Sequence, residues 1–443
     1  MGPGNKSVEP ISHRRVWGLA LPIMISNLTI PLLGAVDTAV VGHLPESYHL
    51  GAVAVGAMLF SYIYWGFGFL KMGTTGFVSH AWGAGDGREV RAAMARAILL
   101  AGIISILLLL LQLPIIRFAM WVLNGSSNVE ALGSEYFLIR IWGAPAALAN
   151  YVLLGWFIGI QNTRAALAVN LVMNGLNIVL DLLFVIGFGW GVAGVAAATL
   201  ISEYVAMAFA FVLVARELRK IEGIFDRALI LSGRLLRKML SLNGNIFIRN
   251  FCLTFGFSIF TAIGAQMGDD ILAANAVIMT LLHITAYGLD GFSHAAEALV
   301  GGFIGGKNRN ELERAIKLCG IWALAFAAGF MAIYFVAGGL FVRLLTSVPA
   351  VVQMADGILI WAIISPLIAV WSFLLDGIFV GAMRGRDMRN GMVISLAVFL
   401  LALWPAFTFW GVHGLWAALM VFFAARGITL AVRYPKVVEA AGQ

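Results

Sequence analysis

The chain has 443 residues, of which 61% are hydrophobic and only 12% are charged, and its mean hydropathy is +0.94. Because a soluble domain has about 25% charged and about 45–50% apolar residues, this composition excludes an ordinary soluble protein and indicates a polytopic membrane protein. The formal net charge is +7, but its placement follows membrane topology, so it requires no nucleic-acid partner.

Twelve apolar segments, each long enough to cross a bilayer, follow one another along the chain. We number them spans 1 to 12, and they cover residues 16–42, 51–82, 93–117, 131–158, 165–187, 191–215, 238–266, 272–304, 315–341, 352–382, 391–410 and 411–430. They predict an all-α integral membrane protein with twelve transmembrane helices. Residues 1–15 are polar, and the segment that follows is too long for the core of a signal peptide, so span 1 is expected to remain as the first helix.

Lys and Arg are concentrated on one side of these spans. If the N-terminus lies in the cytoplasm, 24 of the 29 basic residues fall on the cytoplasmic side, whereas the outer loops hold only Arg117 and Arg343. This asymmetry follows the positive-inside rule. It predicts a multi-pass protein of the cell's inner (plasma) membrane with both termini in the cytoplasm. The basic segment between spans 6 and 7 is then a topology determinant near anionic lipid.

The chain repeats one pattern with a shift of about 220 residues. "LGAVAV" at 50–55 returns as "LAANAV" at 272–277, and "WGVAGVAAA" at 190–198 returns as "WGVHGLWAA" at 410–418. Several ordered matches at a nearly constant shift indicate an internal duplication. Six spans in each half make the two repeats parallel, related by an axis along the membrane normal.

The predicted organisation is therefore two lobes joined by a linker. Its parts are a cytoplasmic N-terminus (1–15), an N-lobe with spans 1–6 (16–215), a cytoplasmic linker (216–237), a C-lobe with spans 7–12 (238–430) and a cytoplasmic C-terminus (431–443). Two such lobes leave a cleft between them, and rocking of the lobes gives alternating access.

Motifs of enzymes and of ATP-driven pumps are absent from the sequence. It contains no Walker-type phosphate loop, no zinc-ligand spacing and no local Ser/His/Asp signature. The two cysteines, Cys252 and Cys319, predict neither a disulfide framework nor a metal cluster. We therefore expect no enzymatic activity, no cofactor and no resident metal ion.

Span 5 has a polar face although it is otherwise suited to lipid. Asn170, Asn174, Asn177 and Asp181 follow one another at steps of four, three and four residues, which places them on one side of a helix. The amides either hold helices together or complete an ion site, and the sequence leaves both interpretations open for them.

Four polar groups from four spans share one depth in the outer half of the predicted N-lobe: Asp37, Tyr136, Asp181 and Thr199. Ionisable residues inside membrane spans face a cavity or a partner and are functional by default. Two carboxylates in a partly dry site repel each other, and burial disfavours their charged forms, so such a site takes up a proton or a small cation. Together with Asn177, these residues predict a proton site, with Na⁺ as the alternative ion at Asp37, Asn177 and Asp181.

Span 1 contains two prolines, Pro22 and Pro31, each of which removes a backbone hydrogen bond and permits a kink. Pro31 lies six residues before Asp37, so protonation of Asp37 could be coupled to bending there. The alternative is that these prolines have no switching role, because membrane helices often carry proline.

The predicted C-lobe has its own polar stripe along span 8, formed by His283, Tyr287, Asp290, His294 and Glu297. Arg249 on span 7 and Asp376 on span 10 are candidate partners of this stripe. Mutual salt bridges are one interpretation, and a second proton relay or a substrate contact is the other. In the N-lobe, Arg140 is assigned no role, and Glu203, four residues beyond Thr199, is considered a minor cavity group.

The sequence resembles the MATE (multidrug and toxic compound extrusion) family over essentially its whole length. The stretches that carry the resemblance are "LALPIMISNLTIPLLGAVDTAVVGHL" (19–44) and "NIVLDLLFVIGFGWGVAGVAAAT" (177–199), and "AYGLDGFSHAAEALVG" (286–301) is similar to the DinF branch. The resemblance implies two six-helix lobes in a V-shaped outward-open state. It also implies a transporter that exports drug-like compounds in exchange for H⁺ or Na⁺.

The resemblance also assigns residues. Asp37, Tyr136, Asn177, Asp181 and Thr199 match N-lobe site positions of the family. The proline at which helix 1 bends in the family matches Pro22, which moves the predicted hinge from Pro31 to Pro22.

Two departures from the family favour H⁺ over Na⁺ as the coupling ion. Span 7 carries Arg249 where the NorM branch has an acidic residue, and Leu154 replaces an asparagine that some relatives have on helix 4.

The resulting hypothesis is an H⁺-coupled antiporter that expels amphiphilic, often cationic small molecules and works as a monomer in the lipid bilayer. A flippase for a lipid or lipid-linked substrate is the alternative function. An intramembrane enzyme is disfavoured because no nucleophile and base form a recognisable signature.

Overall fold

The computed structural model of the protein describes residues 10–42, 47–123 and 126–441, with the side chains of all these residues except 32, 35, 37, 38, 41 and 47. In these ranges the backbone is almost entirely helical and forms no β-strand. The helices are α1 (His13–Gly42), α2 (Ser47–Gly66), α3 (Phe69–Gly83), α4 (Gly87–Leu110), α5 (Gln112–Leu123), α6 (Ser127–Arg140), α7 (Ala144–Gly159), α8 (Thr163–Asp181), α9 (Gly191–Leu218), α10 (Arg227–Ile230), α11 (Gly233–Gln266), α12 (Asp269–Gly305), α13 (Arg309–Leu345), α14 (Pro349–Gly381), α15 (Gly385–Ala431) and α16 (Pro435–Glu439).

Ten segments of the described chain are long and apolar enough to cross a membrane. The last of them, Gly385–Glu439, is bent at Gly411, where φ is 53° and ψ is −127°. If the two arms of this bent segment are counted separately and α1 is added, the described residues contain twelve spans, as the sequence predicts. Two spans have irregular turns within them: a 3₁₀ turn at Ile141–Gly143 links α6 to α7, and α8 continues as a π-helix over Leu182–Gly187.

Predicted span 3 differs from the structure at its outer end. The sequence places it at 93–117, whereas α4 ends at Leu110 and a separate helix, α5, begins at Gln112. Pro114 accounts for the break, because it has no N–H with which to continue the ladder of α4 to the carbonyl of Leu110.

The two halves of the chain share unusual backbone positions 222 residues apart. Gly85 and Lys307 both have positive φ, at 70° and 52°. Each is followed by a helix cap, because the side chains of Asp86 and Asn308 accept a hydrogen bond from the backbone N–H three residues later, at 3.0 and 3.1 Å. Duplicated caps at duplicated turns show that the sequence repeat is a structural repeat.

The same shift relates two close helix contacts. A Cβ atom at Gly155 of α7 would lie 2.4 Å from the carbonyl oxygen of Lys71 in α3. A Cβ atom at Gly377 of α14 would lie 2.1 Å from the carbonyl oxygen of Ser293 in α12. A second glycine follows four residues later in both helices. Small residues at this spacing let membrane helices approach closely, so each half is built around one glycine-lined helix pair.

The chain divides into two compact units, each described by itself here. Unit 1 is Ile25–Arg237, and unit 2 consists of the described residues of 10–24 and 238–441. Helix α1 contributes to both, because the division falls between Met24 and Ile25. The side chains of its first part pack within unit 2: the Trp322 indole N–H donates to His13 Nδ1 at 2.9 Å, and the ring of Trp17 meets that of Phe292 edge-on at 5.3 Å.

The segment that follows α9 is held against unit 1 by a buried arginine of α4. The guanidinium of Arg91 donates to the carbonyl oxygens of Leu218 at 2.6 Å and Ile221 at 2.7 Å. The side chain of Arg96 on the same helix donates to the Leu229 carbonyl at 2.8 Å. The basic segment that the sequence marks as a linker is therefore packed on α4 over this part of its length.

Replacing Arg91 with alanine is expected to destabilise the protein by about 1.5–3 kcal/mol, because two carbonyl groups lose a charged donor. Thermal unfolding of the purified protein in detergent measures this loss, and limited proteolysis is expected to cut near Ile221 sooner than in the wild type. Arg88→Ala is the matched control because Arg88 is exposed on the same helix. Equal effects of the two variants would contradict the docking role of Arg91.

Candidate functional site

The polar face of α8 packs against α1 within unit 1. The Asn174 amide donates to Thr29 Oγ1 at 2.5 Å, and one turn earlier the Asn170 amide donates to Ser26 Oγ. Thr29 Oγ1 in turn donates to the backbone carbonyl of Ser26 at 2.7 Å. Asn170 and Asn174 therefore join two membrane helices, which is the interhelical role that the sequence left open for them.

These two contacts fix the direction and register of the helices. The partner of Ser26 is residue 170 and the partner of Thr29 is residue 174, so residue numbers rise together along α1 and α8. The helices run parallel over this stretch, with an offset of 144–145 residues. If the N-terminus is cytoplasmic, as the sequence predicts, the odd-numbered spans 1 and 5 both run outward, which agrees with this parallel packing.

Two further residues of the same face lie closer to the end of α8. Asn177 is 2% exposed, and its amide N–H donates to Thr199 Oγ1 of α9 at 3.3 Å. Asn177 Oδ1 is buried without a hydrogen bond from any described residue. Asp181 is fully buried and is the last residue of α8, where the backbone changes to the π-helix. Such π-helical turns are frequent at functional sites.

The other predicted N-lobe positions fall as follows. Asp37 lies in α1, but its side chain is outside the part of the chain that the structure describes. Tyr136 of α6 is 2% exposed, and its hydroxyl accepts a hydrogen bond from Arg140 at 3.2 Å.

Pro22 is buried, whereas Pro31 is exposed, and α1 stays helical through both. Pro22 lies two residues before the point where α1 passes from unit 2 to unit 1.

In unit 2, one carboxylate binds two buried guanidinium groups. Asp376 Oδ2 accepts hydrogen bonds from Arg426, at 2.7 Å, and from Arg249. Arg249 also donates to Asn250 Oδ1 at 2.8 Å. The guanidinium of Arg426 lies over the ring of Phe423, 5.6 Å from its centroid. We call Arg249, Asp376 and Arg426 the arginine–aspartate triad.

The stripe on α12 has a separate pairing. His294 Nδ1 lies 2.8 Å from Glu297 Oε2, and Glu297 is fully buried. Asp290 is half-buried and close enough to Arg426 to interact with it electrostatically. His283 is exposed, with its ring 6.3 Å from that of Phe257. The stripe is thus divided between a His–Glu pair and a carboxylate next to the triad.

Sequence reasoning missed Arg426. No role is assigned to this residue from the sequence, yet it is 2% exposed and paired with Asp376 inside unit 2. Its position within predicted span 12 was the signal that could have found it, because a charge inside a span needs a partner.

A second omission lies in unit 1. Arg140, which was assigned no role, faces Glu203, with Arg140 Nη2 and Glu203 Oε1 3.9 Å apart. Both side chains are largely buried, at 16% and 9% exposure.

Within the described ranges, no group of three or more His, Cys, Asp or Glu side chains is arranged to hold a metal ion. The described side chains of the predicted N-lobe site that can donate oxygen ligands are the carboxylate of Asp181, the Asn177 amide and the Thr199 hydroxyl. These are oxygen donors, which suit a proton or a hard monovalent cation better than a transition metal.

The architecture defines a multi-pass membrane protein made of two repeated helical halves, with buried polar sites in each half. The family model MatE matches the chain twice, over residues 22–183 and again over 246–408. The chain therefore belongs to the MatE family, whose members are transporters and not enzymes.

Known proteins of bacteria and of a plant are similar to the chain. It is 42% identical to the DNA damage-inducible protein F of Escherichia coli over 95% of this chain and 91% of that protein. It is 27% identical to Protein DETOXIFICATION 44, chloroplastic, of Arabidopsis thaliana (93% and 80% covered). It is 22% identical to the multidrug export protein MepA of Staphylococcus aureus (90% and 89% covered). The family resemblance found in the sequence is thus confirmed.

Solved structures match the fold over nearly the full length. A MOP superfamily transporter from Pyrococcus furiosus aligns with a TM-score of 0.89 at 19% identity, covering 99% of both chains. The Vibrio cholerae MATE transporter VcmN in its bent form aligns with a TM-score of 0.85 at 20% identity, covering 97% of both chains. The predicted all-α membrane fold of MATE type is therefore confirmed.

Proposed function

We propose that this protein is a secondary active antiporter of the cell's inner membrane that exports amphiphilic, often cationic compounds in exchange for H⁺. The observation that carries the proposal is the fully buried carboxylate of Asp181 at the end of a polar helix face. An ionisable group buried in a membrane span is costly, so it persists where it is paired with another group or where it exchanges a proton or an ion.

The register of α1 and α8 supports a paired site. Position 37 lies eleven residues beyond Ser26, and Asp181 lies eleven residues beyond Asn170, which is about three turns of each helix. Because Ser26 and Asn170 are in contact and the helices run parallel, positions 37 and 181 are at the same level. With Asp37 and Asp181 at one level, the two carboxyl groups would form a shared site, in which repulsion and burial favour binding of one proton.

The coupling to transport would pass through α1. Its first part packs in unit 2, and its later part, from Ile25 onward, belongs to unit 1 and carries Asp37. Pro22 lies next to this division and weakens the helical ladder there. A change of charge at the outer end of α1 would therefore alter the helix that the two units share, which is the requirement for alternating access driven by an ion.

The names of relatives support the class of substrate and of activity. The Staphylococcus aureus relative is a multidrug export protein, and the Arabidopsis relative is named DETOXIFICATION 44. Amphiphilic small molecules are the kind of substrate that such a transporter takes from the cytoplasm or from the inner leaflet. Cytoplasmic termini and a monomeric working unit in the bilayer belong to the same proposal.

Transport in proteoliposomes is the direct test. Purified protein is reconstituted, a pH gradient or a Na⁺ gradient is imposed separately, and the movement of a panel of cationic dyes is followed by fluorescence. Dye movement driven by the pH gradient alone is expected. Movement that responds only to the Na⁺ gradient would contradict proton coupling, and movement of labelled lipid between leaflets without any dye transport would indicate a flippase instead.

A further inference from the structure

A second buried carboxylate lies deeper in unit 1 than Asp181. Glu203 is twelve residues from the start of α9, and Arg140 is thirteen residues from the start of α6. At about 1.5 Å per residue, both lie about 18–20 Å along their helices, near the middle of a hydrocarbon core of about 30 Å.

The contact between Glu203 and Arg140 does not satisfy the carboxylate. The separation of 3.9 Å between Glu203 Oε1 and Arg140 Nη2 is too long for a hydrogen bond. Glu203 Oε2 is buried and receives no hydrogen bond from any described residue. A charged carboxylate that is nine-tenths buried in a membrane and held by one long contact is strongly destabilised. The protonated form removes that cost.

Other buried polar atoms converge on the same place. The Asn150 amide N–H donates to the backbone carbonyl of Glu203 at 2.9 Å, while Asn150 Oδ1 is without a described partner. The Tyr64 hydroxyl is likewise buried without a described partner, and it lies within electrostatic range of Glu203. Buried polar atoms are normally hydrogen-bonded, so such a cluster in a core calls for a role, and binding of a proton is one that Glu203 can perform.

The charge of Arg140 is already supported by groups other than Glu203. Its guanidinium donates to the Tyr136 hydroxyl at 3.2 Å and lies 4.6 Å from the centroid of the Phe60 ring. Arg140 therefore has partners that remain when Glu203 is neutral, and Glu203 can gain or lose a proton without leaving an isolated buried cation.

Glu203 also lies on the face of α9 that carries Thr199, because the two are four residues apart. Thr199 accepts a hydrogen bond from Asn177, which is one turn from Asp181 on α8. The polar side chains Asp181, Asn177, Thr199 and Glu203 thus follow one another along the neighbouring faces of α8 and α9, and we call this row the polar track.

The titratable and charged side chains around Glu203 come from each neighbouring helix. They are Tyr64 of α2, Arg140 of α6, Tyr151 of α7 and, on α9 itself, Tyr204. Tyr136 of α6 lies beyond them, in contact with Arg140. Tyrosine stays neutral near pH 7 and arginine stays charged, so Glu203 is the member of this set able to change charge in the working range.

We propose that Glu203 is a second proton-binding site of this transporter, placed inward of Asp181 on the same polar track, with Arg140 as its counter-charge. The idea rests on the proposed function insofar as the proton bound here belongs to the exchange. The carboxylate lies against Gly143 in the 3₁₀ turn, where an added Cβ atom would be 2.4 Å from Glu203 Oε2. That geometry provides a variant that moves the acid without removing it.

Infrared difference spectroscopy of the purified full-length protein, recorded between acid and alkaline pH, tests the proposal without a transport assay. Wild type is expected to show a carboxylic-acid carbonyl band that Glu203→Gln lacks. Glu135→Gln, in which an exposed carboxylate of α6 is removed, is expected to leave that band unchanged. Gly143→Ala is expected to shift the pH at which the band appears, because the methyl group displaces the carboxylate.

An identical carbonyl band in wild type and Glu203→Gln would overturn the proposal. If Glu203→Gln does not fold, Gly143→Ala decides, because an unchanged titration in that variant shows that the acid near Gly143 binds no proton. A failure of proton-driven dye transport with the band present would instead reject the proposed antiport and leave the proton site standing.

Discussion

Asp181→Asn is expected to abolish proton-driven export while leaving the protein folded in the membrane. Asparagine has the shape of a protonated aspartate and keeps its hydrogen-bonding capacity, so the fully buried position tolerates it. What it loses is the change of charge on which coupling depends. Resistance of a drug-sensitised host, together with dye transport in proteoliposomes under a pH gradient, measures the effect, and both are expected to fall to the level obtained without the transporter.

Two comparisons sharpen this prediction. Asp37→Asn is expected to give the same loss, because position 37 lies level with Asp181. Glu135→Gln, an exposed acid in unit 1, is expected to export normally. Asp181→Asn protein that still moves dye in response to the pH gradient would show that this carboxylate is not the coupling group.

Most of the fold could be predicted from the sequence because its signals are local. A run of about 20 apolar residues specifies a membrane helix by length alone, and the Lys and Arg distribution specifies its direction. The repeat was visible at shifts of 220–222 residues, and the paired positive φ values of Gly191 and Gly411, both 53°, follow it. The 3₁₀ turn at Ile141–Gly143 was missed although the sequence carries a signal for it, because Pro145 has no N–H to donate to the carbonyl of Ile141. The π-helix at Leu182–Gly187 has no such signal and could not be predicted.

The candidate sites were predictable only within one helix. Periodicity revealed the face of α8 that carries Asn177 and Asp181, because all its members lie within twelve residues of sequence. It could not reveal the pairing of Arg140 with Glu203 or of Asp376 with Arg426, since each pair joins helices that are 50 or more residues apart.

The repeat gave no help with the sites either. In the second half, 222 residues after Asn177 and Asp181, the chain has Phe399 and Leu403, both buried. The two halves therefore share their turns and helix packing, but they do not share the polar residues of the candidate sites. The position of a buried charge in one half therefore does not predict a charge in the other half.

The arginine–aspartate triad of unit 2 is expected to be essential for stability. Asp376→Asn is expected to destabilise the protein by about 3–5 kcal/mol, which is the cost of leaving a buried charge without its partner. Two guanidinium groups depend on this one carboxylate, and Arg426 is only 2% exposed. Unfolding of the purified protein in detergent, by heat or by titrated denaturant, measures the loss.

Asp356 provides a matched control on the same helix, α14. It pairs with Arg343 at 2.9 Å, but the two side chains are 35% and 57% exposed. Exposed pairs contribute about 0–1 kcal/mol, so Asp356→Asn is expected to have little effect. Equal losses from Asp356→Asn and Asp376→Asn would show that burial does not set the importance of the triad.

Removing all three charges separates the structural role of the triad from a role in transport. Well-packed apolar replacements of a buried ion cluster are often neutral or stabilising, so Arg249→Met, Asp376→Leu and Arg426→Met together are expected to recover much of the stability lost in Asp376→Asn. If the triad only holds unit 2 together, the triple variant should export dye under a pH gradient. A stable triple variant without export would instead place the triad on the path of the proton or the substrate, because only a function of the charges themselves could then be missing.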